Sequence, residues 1–298
     1  MKSDIYSQID SNKTKTFVIM GLFIIFITFI IYVISSFYLP SESVWFITPV
    51  VFVFSSLSSF FSFWYSDKIT LSLVGAKKAN GPSFVLYNNI VENIAIAAGI
   101  PKPNTYYMVD NAPNAFATGR GPNHAAICVT SGLLENLNKA ELEGVIAHEI
   151  AHIKNYDIRL MAVVSILVGF LATLIDSIFR FNIFGRSGND DKKSTNGILA
   201  LLFIVLLVIT PIIAELIKLA ISRNREYLAD ATGAYLTRYP KGLSDALVKI
   251  SSYKGSVKKA TTGNAHMFFA NPLKNKGLIN MFSTHPPVEE RIKRLQSM

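Results

Sequence analysis

The chain has 298 residues, half of them hydrophobic and only 16% charged, with a mean hydropathy of +0.35. These values exclude an ordinary soluble domain and point to a membrane protein with a soluble part. The formal net charge of +9 is carried singly or in short pairs, which argues against nucleic-acid binding and for positively charged cytoplasmic segments. The single Cys128 excludes an internal disulfide and fits a reducing compartment.

Residues 1–15 are polar, and Thr16 to Tyr38 is then almost wholly apolar and uncharged, long enough to cross a bilayer. A signal peptide would have a shorter apolar region ending at a small-residue cleavage site. Ser35-Ser36 is a poor version of one, so the segment reads as a permanent anchor. After the short loop Leu39–Ser43, a second uncharged stretch runs from Val44 to Ser66, with Trp45, Trp64 and Tyr65 near its ends, where interfacial aromatics belong. Residues 1–66 therefore predict a transmembrane hairpin, with spans at 16–38 and 44–66. The basic N-terminus and the acidic loop place both hairpin ends in the cytoplasm.

Residues 67–157 read as the first part of a soluble domain. Ser83–Ala98 has a helical pattern stopped by Gly99, with Pro101 and Pro103 beyond. Thr105–Val109 and Asn114–Gly119 have strand composition, Arg120–Asn123 reads as a turn, and Ala125–Thr130 as the returning strand. Such a small sheet has two readings. Asn114, Ala115 and Phe116 bind substrate main chain by edge pairing, or they belong to an ordinary structural hairpin.

Asn138-Lys139-Ala140-Glu141 has the form of a capping box, which starts a helix near Lys139. Leu142, Val145, Ile146, Ile150 and Ile153 follow as an apolar stripe at helical spacing. Inside this amphipathic helix stands His148-Glu149-Ile150-Ala151-His152. Positions four apart point to nearly the same side, so both imidazoles can reach one ion, while Glu149 lies about 100° round the helix. Two neutral histidines, a third ligand from elsewhere and an open position make a catalytic zinc site. The free carboxylate can then take a proton from a water acidified by the ion.

Residues 158–221 contain two further apolar segments, Ile158–Phe179 and Ile198–Leu219, separated by the charge-mixed 180–197. If ligands on either side share one metal, an even number of crossings separates them, so both segments cross or neither does. Two crossings are preferred, although they export a loop with more basic than acidic residues. Packing on the domain, or partial entry into the membrane, is the alternative.

Residues 222–298 are strongly basic, as expected of a cytoplasmic second half of the domain. Here Glu226 and Asp230, four apart, share a helical face. One carboxylate can ligate the metal and the other can accept the spare N–H of a ligand histidine. Gly263–Gly277 reads as a long loop and Val288–Gln296 as a short final helix.

Taken together, the helix Glu143–Asp157, Glu226 with Asp230, the segment Asn114-Ala-Phe-Ala-Thr-Gly119 and the late Ser283-Thr-His-Pro286 resemble the HtpX family of bacterial membrane-bound zinc endopeptidases. The same broader family includes the CAAX-processing membrane proteases. The resemblance covers nearly the whole chain. It implies a mainly α membrane protein in which a gluzincin-like protease domain has two hydrophobic helices inserted between its metal-ligand helices. It further implies one Zn2+ per chain held by His148, His152 and Glu226, Glu149 as general base, Asp230 orienting a ligand histidine, and His285 as a candidate oxyanion donor. The implied setting is the bacterial cell membrane, multi-pass, with the active site facing the cytoplasm. The implied partners are the lipid bilayer and protein substrates, with no nucleic acid, and the implied role is quality control of misfolded or membrane proteins. Readings outside this one are a non-catalytic zinc-binding membrane scaffold and a transporter, for which four apolar segments are few. Within it, a processing protease dedicated to one substrate stands against general quality control.

Overall fold

The computed structural model describes residues 5–38, 40–184, 222–261, 263–273 and 286–298. The two uncharged N-terminal stretches form helices α1 (Ile5–Tyr38) and α2 (Ser41–Trp64), with Pro40 at the N-cap position of the second. They pack against each other and contain two candidate membrane spans, Ile9–Val33 and Ser41–Trp64. Only 22% and 17% of the respective spans is buried. The core helix of a soluble protein would be mostly covered, whereas Leu22, Trp45, Phe46 and Phe54 here lie open, as lipid-facing side chains do. Helix α1 starts well before Thr16 because its polar first turns are not a free tail. Asn12 and Thr16 are buried against the rest of the protein.

A short helix α3 (Ser66–Leu73) leads into the soluble domain. Its four-stranded sheet comprises β1 (Lys77–Lys78), β2 (Asn104–Met108), β3 (Ala115–Gly121) and β4 (His124–Thr130) in the order β1-β2-β4-β3. The β1–β2 and β3–β4 pairs are antiparallel and β2–β4 is parallel. The expected β3–β4 hairpin is present, and its turn is tighter than expected, since Arg120 and Gly121 still belong to β3. Gly119 sits at a register shift with φ +133°, where a Cβ would lie 2.1 Å from the His124 carbonyl oxygen, so only glycine fits. Helix α4 (Val85–Ala98) crosses between β1 and β2 in sequence and ends on Gly99 in the left-handed region, as its sequence predicts.

After α5 (Ser131–Asn136) comes the central helix α6 (Lys139–Lys154). Its capping box is fully made. Asn138 Oδ1 accepts from the Glu141 amide at 3.0 Å, and Glu141 Oε2 accepts from the Asn138 amide at 2.8 Å. The sequence predicts an amphipathic helix, but every residue from Gly144 to Ile153 is buried. The reason is that α6 is enclosed by α4, β3 and two helices from the second half, α8 (Arg223–Thr237) and α9 (Pro240–Ser252). Gly233 of α8 lies against the α6 backbone, where even a methyl group would come within 3.1 Å of the His148 nitrogen, so the two helices approach closely.

The apolar segment after α6 is helix α7 (Asp157–Phe184). Leu160, Val163, Val164, Leu167 and Leu171 pack on Ile19, Phe23 and Ile27 of α1. The expected loop 263–277 is ordered in its described part. Ala265–Met267 forms a 3-10 turn and Phe268 bridges to Phe116 of β3. The last helix, α10 (Val288–Gln296), has the bounds its sequence predicts. The segment Ile198–Leu219 and His285 lie outside the described residues.

Candidate active site

His148 and His152 stand one helical turn apart in the middle of α6, buried and side by side, with ring centroids 4.7 Å apart. Each Nδ1 faces a carboxylate: His148 that of Asp230 on α8 at 2.9 Å, and His152 that of Asp157 at the start of α7, also at 2.9 Å. An ionised carboxylate only accepts, so both Nδ1 atoms carry the proton and donate it. That leaves both Nε2 atoms with lone pairs directed inward, only 3.1 Å apart.

Glu226 on α8 completes the cluster. Its oxygens lie 3.4 Å from His152 Nε2 and 3.8 Å from His148 Nε2. All three donor atoms fall within 4.8 Å of one another. Tetrahedral zinc with ordinary nitrogen and oxygen bonds would set such atoms about 3.3 Å apart. Bare lone pairs this close repel unless a proton or a metal ion lies between them, and the spacing of the three donors fits the metal expected from the sequence.

Burial above all, helped by the charges of His152 and Arg291, holds the His148 imidazole down to about 4 against the pull of Asp230, which suits a neutral ligand. Burial also lowers His152, but hydrogen bonds to Asp157 and Glu226 outweigh it and raise this imidazole to about 10. In the metal-free chain a proton therefore occupies the place of the ion. Glu149 is raised to about 7, chiefly by burial, with His152 opposing and Glu226 reinforcing the shift. A backbone hydrogen bond from Ala117 of β3 reaches the same carboxylate. A carboxyl poised near neutrality suits proton transfer near neutral pH.

Asp230 is locked from its other side by Arg291 of α10, whose Nε and Nη2 donate at 2.8 and 2.7 Å. Burial raises this carboxyl, but the guanidinium outweighs it and brings it down to about 2. Phe269 sets its ring edge-on to His148, with centroids 5.0 Å apart.

The structure brings His148, Glu149, His152, Glu226 and Asp230 together as the sequence predicts. Asn114, Ala115 and Phe116 lie nearby, but their groups are already engaged. Asn114 Nδ2 donates to the Ala270 carbonyl at 2.9 Å, its Oδ1 accepts from the Ala270 amide at 3.2 Å, and the Ala115 carbonyl accepts from the Phe269 amide at 2.8 Å. The Phe116 ring packs on Phe268. These three residues thus hold segment 268–270 along the β3 edge.

Sequence reasoning missed two residues. Asp157, which also lies 3.7 Å from Arg225 Nε, is the counterpart of Asp230 for the second histidine. Tyr156, with φ 60°, turns the chain so that the first residue of α7 faces back onto α6. Arg291 sits among charged residues of a short helix and carries no local mark of burial.

A model of peptidase family M48 matches residues 87–298. The chain is 45% identical to a protease HtpX homolog of Caldanaerobacter subterraneus, over 100% of this chain and 99% of the relative. It is 44% identical to that of Dictyoglomus thermophilum, over 98% and 94%. The crystal structure of Ste24p from S. mikatae aligns with a TM-score of 0.48 at 20% identity, covering 95% of this chain and 64% of that one. Curated relatives at this identity over full length, with the matching family model, carry the assignment: the chain belongs to peptidase family M48 and is a metalloprotease, a hydrolase of peptide bonds.

Proposed function

We propose that this chain is a zinc-dependent endopeptidase of the bacterial cell membrane that cleaves membrane or misfolded proteins at the cytoplasmic face. The observation that carries this reading is the meeting of three inward-facing donor atoms, on His148, His152 and Glu226, beside a buried carboxylate raised to about 7. One zinc held there would supply Lewis-acid polarisation of the scissile carbonyl and acidify a water. Glu149 takes the proton from the attacking water and passes it to the leaving amine, so the peptide bond breaks with no net gain or loss of protons. Asp230 and Asp157 keep the two imidazoles in the tautomer that offers Nε2.

Asn114, Ala115 and Phe116 support the substrate cleft by fixing segment 268–270. An extended substrate then pairs with the β3 edge from Ala117 onward, beside Glu149. His285 is assigned the role of oxyanion donor. In this reading 1–66 is the anchoring hairpin, 67–157 and 222–298 are the two parts of the protease domain, and 158–221 supplies two further membrane helices. The basic character of 222–298 supports a cytoplasmic site.

The test is a comparison of proteins trapped in cells by a Glu149→Gln variant. Many unrelated membrane and misfolded proteins are expected. One recurring partner would instead identify a dedicated processing enzyme.

A further inference from the structure

We propose that Asn12, on the first anchor helix, is a positioning residue of the metal centre. By clamping Asp157 it fixes the His152 ring, which makes the membrane anchor a working part of the site. The inference rests on the reading that His148, His152 and Glu226 hold zinc.

Asn12 is 2% exposed, and both ends of its amide are engaged. Nδ2 donates to Asp157 Oδ1 at 2.7 Å and to the Asn155 carbonyl at 3.1 Å. Oδ1 accepts from Arg225 Nη1 at 3.0 Å. The partners fix the orientation of the amide, because a guanidinium only donates and a carboxylate only accepts. One side chain of α1 therefore meets the C-cap residue of α6, the residue that begins α7, and the neighbour of Glu226 on α8.

The consequence follows from the geometry of Asp157. Its Oδ2 accepts from His152 Nδ1 at 2.9 Å, while its Oδ1 is hydrogen-bonded by Asn12 at 2.7 Å, with Arg225 Nε farther off at 3.7 Å, beyond hydrogen-bond reach. A carboxylate pinned through one oxygen can turn about its terminal torsion, whereas one pinned through both presents a fixed acceptor to the imidazole. Nor is the amide needed simply to attach α1, because Ile19, Phe23 and Ile27 already pack it against α7. A buried amide among such residues is unfavourable unless its hydrogen bonds do something apolar packing cannot.

The test uses the full-length protein in detergent, with zinc affinity measured by chelator competition and kcat, KM and the Tm of the zinc-free protein measured in parallel. Asn12→Leu keeps the branched shape and removes every side-chain hydrogen bond. Asn12→Asp replaces the donor to Asp157 with a like charge. Both are expected to weaken zinc binding about tenfold, at the low end for outer-shell partners, and to lower kcat with KM unchanged. Thr16→Val is the control. It removes another buried polar group from the same helix, one whose hydroxyl donates to the Asn12 carbonyl within α1, and zinc affinity should stay at the wild-type level. Wild-type zinc affinity in Asn12→Leu overturns the proposal, as does an equal loss in Thr16→Val, which would mean general loosening of the anchor. If wild type binds no zinc, or His152→Ala binds it equally well, the zinc reading fails first and takes the proposal with it.

Discussion

Arg291 grips both carboxylate oxygens of Asp230, sixty-one residues away in sequence, in a fully buried bidentate pair, and Asp230 in turn holds His148. The last helix thus closes a line of contact that ends on His148, one of the three proposed zinc ligands. The guanidinium also lies 4.0 Å from Glu226 and so partly offsets the negative charge gathered round the cluster. Arg291→Met would leave Asp230 buried without its counter-charge. We expect a loss of about 3–5 kcal/mol of stability, the range for breaking one side of a buried pair, read as a lower denaturation midpoint. Arg291→Lys should recover only part of it, because an ammonium cannot make the parallel pair of bonds.

Glu149 gives two pH predictions of opposite sense. Its pKa in the metal-free protein is raised to about 7, so the neutral form is favoured by folding. That stability is present below the ordinary carboxylate range and is lost as pH rises through about 7. Glu149→Gln should therefore raise the Tm of the zinc-free protein in mild alkali, by the equivalent of up to about 3 kcal/mol. Catalysis needs the ionised form, so kcat/KM should climb with pH, with a midpoint below that of the metal-free carboxyl because bound zinc favours the anion. A Tm gain that persists unchanged in acid would contradict the assignment.

Zinc affinity should also depend on pH. His152 is raised to about 10 without the metal, and zinc has to displace that proton. Below this value the apparent affinity should rise about tenfold per pH unit. Chelator competition at several pH values across neutrality measures the slope, and a flat profile would remove His152 from the ligand set.

His285→Phe should lower kcat by about 10²- to 10³-fold, the loss typical of a missing oxyanion donor, while zinc binding stays intact. Retained kcat would return that role to another group.

What the sequence disclosed about this fold was written locally. The capping box of α6, the left-handed Gly99, the β3–β4 hairpin and the bounds of α10 each depend on residues a few positions apart. The ligand spacing in α6 is likewise a property of one helix. Helix α9 was missed although Leu243, Leu247 and Ile250 mark a buried face and Pro240 sits at its first turn, where proline starts helices. The complete burial of α6 could not be read from its stripe, because its polar face is covered by α8 and α9 from the second half of the chain. Asp157, Arg291 and Asn12 stayed hidden for the same reason. A charged or amide side chain looks solvated until the fold brings its partner to it.

The most direct measurement of the central claim is cleavage of an unstructured protein by the detergent-purified chain, alongside Glu149→Ala, each assayed after chelation and again after zinc is returned. The account predicts that wild type falls silent on chelation and recovers with zinc, while the variant binds zinc and stays silent. Zinc-restored cleavage by Glu149→Ala at the wild-type rate would contradict it.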